Sequence, residues 1–425
     1  MVGGKIYFNS PNIKANLKSG EPCMLIKKHN RSRRDFLKAA GVASVGSIFA
    51  AFNPLTEASE GPKTMPTRPF GKTGIDVPIL AFGGSLDTSL SLLVLRQAFK
   101  WEVTYWDTAN TYMGGKSEKG IGKYLEKYPE DRKRIFLVTK SHAWTLSGLS
   151  QDLDLSLERM KTDYIDLFFV HSVRSISDLN DETKVWAEKK KAQGKIRFFG
   201  FSTHSNMEAC MLGASKLGWI DGIMMRYNYR LMHTDEMKRA VEACVRAGIG
   251  LTAMKTQGGG QVNTDSDTEL KLAGRFLQKG FTDAQAKLKA IWDNPDISCI
   301  CSEMPNMTIL LSNVAAALDK TKLSVRDMGL LRQYAQETRS QYCTGCADIC
   351  ESSVQGNVPV SDVMRCLMYA RSYGNRQRGK TRFQKIPVIT RRQMTVTDYS
   401  LAEQRCPQNM PIGKLMKEAV DIFHI

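Results

Sequence analysis

Between residues 69 and 301 the chain repeats one pattern: a short apolar, β-rich run, then a longer stretch with apolar residues at helical spacing. The runs are 77–82, 104–106, 135–138, 164–170, 196–201, 220–225, 249–253 and 297–301. Stretches of helical period lie between them at 90–100, 116–127, 149–160, 182–192, 207–217, 235–247 and 283–294. Parallel neighbours cannot be joined by a tight turn, so this alternation predicts strands linked by crossover helices. Eight such units predict an α/β fold of the (β/α)8 TIM-barrel type. A doubly wound sheet is the alternative, but no helix candidate opens with Gly-x-Gly-x-x-Gly. The barrel is expected over residues 66–322.

In a barrel the chemistry sits where strands end, so the polar residues closing each apolar run are the ones to read. The second run closes on Asp107, with Tyr112 five residues on; the third closes on Lys140 and the fourth on His171. An acid, a phenol, an amine and an imidazole thus converge on one rim. Taken singly, a terminal Asp is a turn former and a lone Lys a solvated charge; the four in order point to a site.

The four residues, and the words WDTANTYMGGKSEKGIGKYL, IFLVTK, YIDLFFVH, GKIRFFGFS and RYN around them, resemble the aldo-keto reductase superfamily over residues 66–320. The resemblance implies an oxidoreductase using NAD(H) or NADP(H), with hydride passing to an aldehyde or ketone. Tyr112 would protonate the developing alkoxide, its pKa of about 10 lowered by Lys140. Asp107 would compensate the Lys140 ammonium, and His171 would orient the carbonyl oxygen. The nucleotide contacts implied are Gly83, Ser202, Asn306 and Asn313. This chain departs from the family's pattern at Thr203 and His204, at Met224 and Met254, and at Glu303 and Ile309 in the adenosine segment. A carboxylate beside a 2′-phosphate is repulsive, so NADH is expected to be accepted at least as well as NADPH. Trp106, Trp144 and the Met232–His233 loop either border a substrate pocket or pack the rim.

Beyond Asn313 the composition shifts, with five of the ten cysteines in the last 83 residues. A separate helical unit is expected over 323–425. Cys210, Cys244, Cys299 and Cys301 fall on core elements and read as buried thiols. The triplet Cys343-x2-Cys346-x3-Cys350 with the distant Cys406-Pro407 resembles the ligand pattern of bacterial ferredoxins, and a subgroup of aldo-keto reductases carries such a ferredoxin-like tail. The resemblance implies one 4Fe-4S cluster on Cys343, Cys346, Cys350 and Cys406; zinc on the same thiolates and a disulfide are the alternatives. Cys366 reads as packing. Eight Lys or Arg and no acid lie between Arg371 and Arg392, a solvated face or a dock for an acidic electron-transfer protein.

At the other end, Ser32-Arg33-Arg34-Asp35-Phe36-Leu37-Lys38 precedes 14 uncharged residues, too few for a comfortable membrane span but sufficient for a secretory h-region. The segment resembles a twin-arginine export signal over residues 1–58. The expectation is export in folded form to the bacterial periplasm or cell envelope through the twin-arginine translocase. Of the formal charge of +17, +7 sits in the first 38 residues, so the mildly basic body gives little support for a nucleic-acid partner. Three functions compete: a reductase with an iron–sulfur tail acting on a small carbonyl or alcohol, the same enzyme with a zinc-braced tail, and a non-catalytic barrel that binds a redox partner.

Overall fold

The computed structural model describes residues 64–259 and 267–423. The twin-arginine-like segment and Cys23 lie outside the described residues. A short antiparallel hairpin, β1 (Thr67–Pro69) and β2 (Asp76–Pro78), precedes the barrel. The apolar run 77–82 is therefore shared between two elements. Pro78 ends β2, since its ring nitrogen cannot donate to a ladder, and the parallel strand β3 (Leu80–Gly83) begins two residues later.

The barrel continues with β4 (Tyr105–Asp107), β5 (Phe136–Ser141), β6 (Ile165–Val170), β7 (Ile196–Thr203), β8 (Gly222–Arg226), β9 (Gly250–Met254) and β10 (Cys299–Glu303), and β10 closes onto β3. All eight barrel strands are parallel, so the expected (β/α)8 barrel is the observed one. Both faces of β3 to β6, β8 and β9 are buried, while β7 exposes Arg197 and β10 exposes Glu303. In β6, Leu167 and Phe169 point into the barrel, while Phe168 and Val170 pack outward under the helices. The hairpin floors one end. A Cβ at Gly250 would stand 2.6 Å from the Phe70 ring and one at Gly222 2.8 Å, so β8 and β9 begin with glycine where that ring lies on their backbone. The barrel is open for chemistry only at its other end.

Two barrel-side helices escape the periodicity reading. Met307–Leu318 is apolar on nearly every side, so it carries no clear stripe, and Asp267–Gln278 adds a second helix between β9 and β10. Helix Val325–Glu337 packs Leu331 and Tyr334 against Tyr229 and Phe276 of the barrel side. The apolar cluster of the tail starts later, at Cys350, and gathers Val363, Leu367, Phe383, Met394, Met416 and Phe423 from the last helices.

These tail helices lie over the strand-end rim. Arg174, after β6, pairs with Glu351 and with Asp362 (3.0 Å). Asn206, after β7, donates to Asp348 (2.7 Å); Asn228, after β8, donates to the Tyr342 hydroxyl (3.0 Å). Arg378 joins Glu303 of β10 (2.9 Å) to the tail.

Candidate active site

The two-residue period of a strand sets the site. Tyr105 and Val138 fill the barrel interior, so Asp107 and Lys140, each two residues further on, face the same way at the rim. Lys140 is fully buried, its ammonium bonded to the Asp107 carboxylate and the Thr108 carbonyl (2.7 Å). The burial of that charge is thereby compensated. Tyr112 opens a single 3-10 turn in which Gly114 and Gly115 take φ of 65° and 87°, and the next helix, Lys116–Lys127, starts from that reversal. The Lys140 ammonium stands 5.3 Å from the Tyr112 ring centroid. His171, just past β6, sets its ring edge-on to Tyr112 at 5.7 Å between centroids. All four residues singled out at the strand ends are brought together.

The charge environment differs from expectation at Tyr112. Burial, and then the Asp107 carboxylate, push its phenol well above the ordinary value rather than below it. Burial holds the His171 imidazole neutral, with the positive charges of Lys140, Arg382 and Arg365 and the neighbouring His142 acting in the same direction. The His171 Nδ1 is buried without a partner. His142, not singled out by sequence, stacks on His171 at 4.0 Å and 20°; loss of solvent, then Arg382 and Lys385, bring it down to about 4. Its only sequence signal is its place two residues after Lys140 at a strand end.

The residues implied as nucleotide contacts are mostly engaged within the protein. Ser202 is fully buried and accepts from the Ser172 N–H (3.1 Å). Asn306 caps helix Met307–Leu318 by accepting from the Ile309 N–H (3.0 Å), and Asn313 donates to Ser302 (3.0 Å). A Cβ at Gly83 would stand 2.9 Å from the backbone of Ser302 and Glu303, so that glycine lets β3 and β10 approach. Met224 and Met254 belong to the barrel's interior cluster. Trp106 packs outward on Tyr124, Trp144 is exposed, and His233 lies 3.2 Å from Arg332.

In the tail, Cys346 precedes the short helix Ala347–Glu351 and Cys350 lies one turn on, so the x3 spacing sets both on one side. Cys343, Cys346, Cys350 and Cys406 line one cavity with Ile349, Val360, Met364 and Met410. Burial, then the neighbouring Cys343, Glu351, Cys346 and Cys406, push the Cys350 thiol up to about 12. Among the described residues no three or more His, Cys, Asp or Glu are placed to hold a metal ion. Gly345 has φ 88°, and a Cβ there would collide with the Arg226 guanidinium. Arg226, at the end of β8 and 2% exposed, donates to the carbonyls of Cys343 (3.0 Å) and His204.

A family model described as the aldo/keto reductase family matches residues 80–324, more than half of the chain. The chain belongs to the aldo/keto reductase family, a family of oxidoreductases. Its barrel resembles that of a thermostable aldo-keto reductase solved with the inhibitor epalrestat: TM-score 0.53, 25% identity, covering 63% of this chain and 99% of that one. Among curated relatives, L-galactose dehydrogenase of Arabidopsis thaliana is 24% identical over 287 residues, 61% of this chain and 90% of the relative. An aldo-keto reductase of Alternaria alternata is 28% identical over 218 residues, 43% of this chain and 59% of its own length. The chain spans little more than half the length of the first curated relatives it matches. The family match ends before the cysteine tail begins.

Proposed function

We propose that this aldo/keto reductase interconverts an aldehyde or ketone and its alcohol using NADH or NADPH, and that Cys343, Cys346, Cys350 and Cys406 hold one 4Fe-4S cluster. The carrying observation is the convergence of Asp107, Tyr112, Lys140 and His171 at the barrel mouth. The orphaned Nδ1 of His171 and the exposed N-terminus of helix Met307–Leu318 beyond β10 suit a polar substrate and a nucleotide phosphate respectively. When bound, the nicotinamide supplies or accepts the hydride. Tyr112, kept protonated by burial and by Asp107, is the proton donor to the carbonyl oxygen, and neutral His171 orients that oxygen by a hydrogen bond. Lys140, anchored by Asp107, fixes a positive charge beneath the phenol ring. Arg378 offsets part of the Glu303 charge, so both nucleotides are expected to be used, NADH at least as well as NADPH.

The Cys343-x2-Cys346-x3-Cys350 triplet with Cys406-Pro407 supports the cluster reading, with zinc on the same thiolates as the alternative. A single zinc ion needs all four thiolates at about 2.3 Å from one point. The four thiols line one cavity, and a 4Fe-4S cluster would take each thiolate on a different iron. The Arg33–Arg34 segment supports delivery of the folded protein to the cell envelope.

The test is an anaerobic absorbance trace of the purified protein before and after NADH, followed by NADH oxidation with an added aldehyde. Broad visible absorption and aldehyde-dependent NADH oxidation are expected. Tyr112→Phe should lower kcat for reduction about 10²- to 10⁴-fold and leave the visible band intact. Because the folded phenol loses its proton only above the ordinary value of about 10, the reduction rate should stay level through neutral pH and fall in strong base. A Tyr112→Phe enzyme of undiminished kcat would refute the assignment.

A further inference from the structure

Opposite the tetrad lies a set of cations that the family's chemistry does not use. Helices Val360–Arg371 and Arg376–Phe383 carry Arg365, Tyr369, Arg378 and Arg382 to the barrel mouth. Tyr369 is 3% exposed, yet three cations surround its ring: the Arg378 guanidinium at 4.5 Å, the Lys255 ammonium at 4.9 Å and the Arg382 guanidinium at 5.5 Å from its centroid. Arg365 is one helical turn before Tyr369. The same charges act on the tetrad: Arg382 and Arg365 both help to keep His171 neutral, and Arg382 bears on Tyr112.

The charges do not balance. Arg378 has Glu303 at 2.9 Å, and Arg365 has Asp362 at 2.6 Å, a carboxylate it shares with Arg174. No carboxylate among the described residues makes an ion pair with Lys255 or Arg382, and the Arg365 Nε is buried with no partner. Burial resists ionisation of the Tyr369 phenol, but Lys255, Arg378, Arg382 and Arg365 outweigh it and bring the phenol down to about 7. Even as a phenolate, Tyr369 offers one negative charge to two unpaired cations. Half-buried positive charge of this kind favours an arriving anion.

We propose that Lys255, Arg365 and Arg382, grouped about Tyr369, bind an anionic group on the carbonyl substrate, a carboxylate or a phosphate, so that the substrate class is an anionic aldehyde or ketone. This rests on the reductase reading above. Guanidinium groups suit the role because their fork of N–H donors matches carboxylate and phosphate oxygens. Two of the three cations come from the tail, beyond the 80–324 match; both bear on His171, and Arg382 bears on Tyr112 as well, while a nucleotide phosphate would have its own donors at the Met307 helix. The barrel supplies chemistry and the tail supplies recognition.

The test compares two aldehydes of equal chain length, 4-oxobutanoate and butanal, with NADH and the full-length anaerobically purified protein. The wild type should prefer 4-oxobutanoate in kcat/KM. Arg382→Gln and Arg365→Gln should each collapse that preference at least tenfold, chiefly through KM for 4-oxobutanoate, and Arg382→Lys should restore part of it. Calorimetric titration with succinate, which cannot react, reads the site without turnover: binding to the wild type, weakened by salt and lost in Arg382→Gln, is expected. If succinate binds in this way but neither aldehyde is reduced, the anion site stands and the reductase reading falls. Equal use of both aldehydes without succinate binding overturns the anion site and leaves the reductase. A rise in KM for NADH instead of 4-oxobutanoate in Arg382→Gln would assign the cations to the nucleotide and overturn the proposal.

Discussion

In the barrel, Trp106, Phe168, Phe199 and Ile223 are fully buried between sheet and helices, and one apolar cluster runs from Met65 to Ala317. In the tail, a smaller cluster from Cys350 to Phe423 borders the cavity that four cysteines line. The barrel closes on side chains alone, whereas the centre of the tail is a group of thiols that push one another's pKa upward. Across the rim polar contacts join them: Arg174, Asn206, Arg226 and Arg378 each reach from one to the other. Apolar burial organises the barrel, whereas the smaller apolar core of the tail borders a cysteine-lined cavity, and the proposed cluster is expected to add to its stability.

The comparison breaks most visibly at Cys350. Cys350→Ser should remove a ligand of the proposed cluster, so iron should fall from about four per chain to near zero and the visible band should vanish. Trypsin should then cut within the Lys- and Arg-rich run 371–392 while the barrel stays resistant, as mass spectrometry of the fragments would show. A tail of unchanged resistance would mean that its apolar cluster suffices and that the contrast with the barrel is wrong.

The barrel and its tetrad were legible because a strand buried on both faces writes itself as a largely apolar run. The polar residue that closes it then marks the rim, as Asp107 does at the end of β4 and His171 just after β6. Cys346 and Cys350 were legible in the same local sense, one turn apart. The cation cluster was not. Lys255 and Arg382 meet only because the tail folds back over the rim, a contact between positions more than 100 residues apart that leaves no periodic trace. The run 371–392 reads as a solvated face, yet Arg378 and Arg382 turn inward, Arg371 pairs with Glu418, and Arg376 donates to the Ile422 carbonyl (2.6 Å). The direction of the Tyr112 shift escaped for a related reason: burial, then Asp107, sets it against the opposing Arg382, and burial at a rim depends on what covers it.

A smaller effect sharpens the comparison at Arg226. Its guanidinium is 2% exposed and serves the carbonyls of His204 in the barrel and Cys343 in the tail. Arg226→Met keeps the apolar stem and leaves two buried carbonyls unpaired, a cost of roughly 1–3 kcal/mol each. Hydrogen exchange should quicken at the Asn206 N–H, which donates to Gly345 O (2.8 Å), and through the 343–350 segment, with barrel strands unaffected. Spread of the change into β6 or β7 would show that the two regions unfold as one.

The smallest effect is expected at Arg174, the most extensive ion pair across the rim. Its side chain is 37% exposed, and it faces Glu351 and Asp362, at 21% and 32%. Water and salt reach all three groups, so Arg174→Ala should cost less than about 1 kcal/mol and less still at high ionic strength. Glu351 accepts from the Ser361 N–H (3.0 Å) and Asp362 accepts from Arg365 (2.6 Å), and neither bond needs Arg174. Without Arg174, Asp362 is left to Arg365 alone, which should draw the Arg365 charge further toward Asp362 and weaken succinate binding slightly. A stability loss well above 1 kcal/mol, unmoved by salt, would instead mean that Arg174, Glu351, Asp362 and Arg365 act as one network joining tail to barrel.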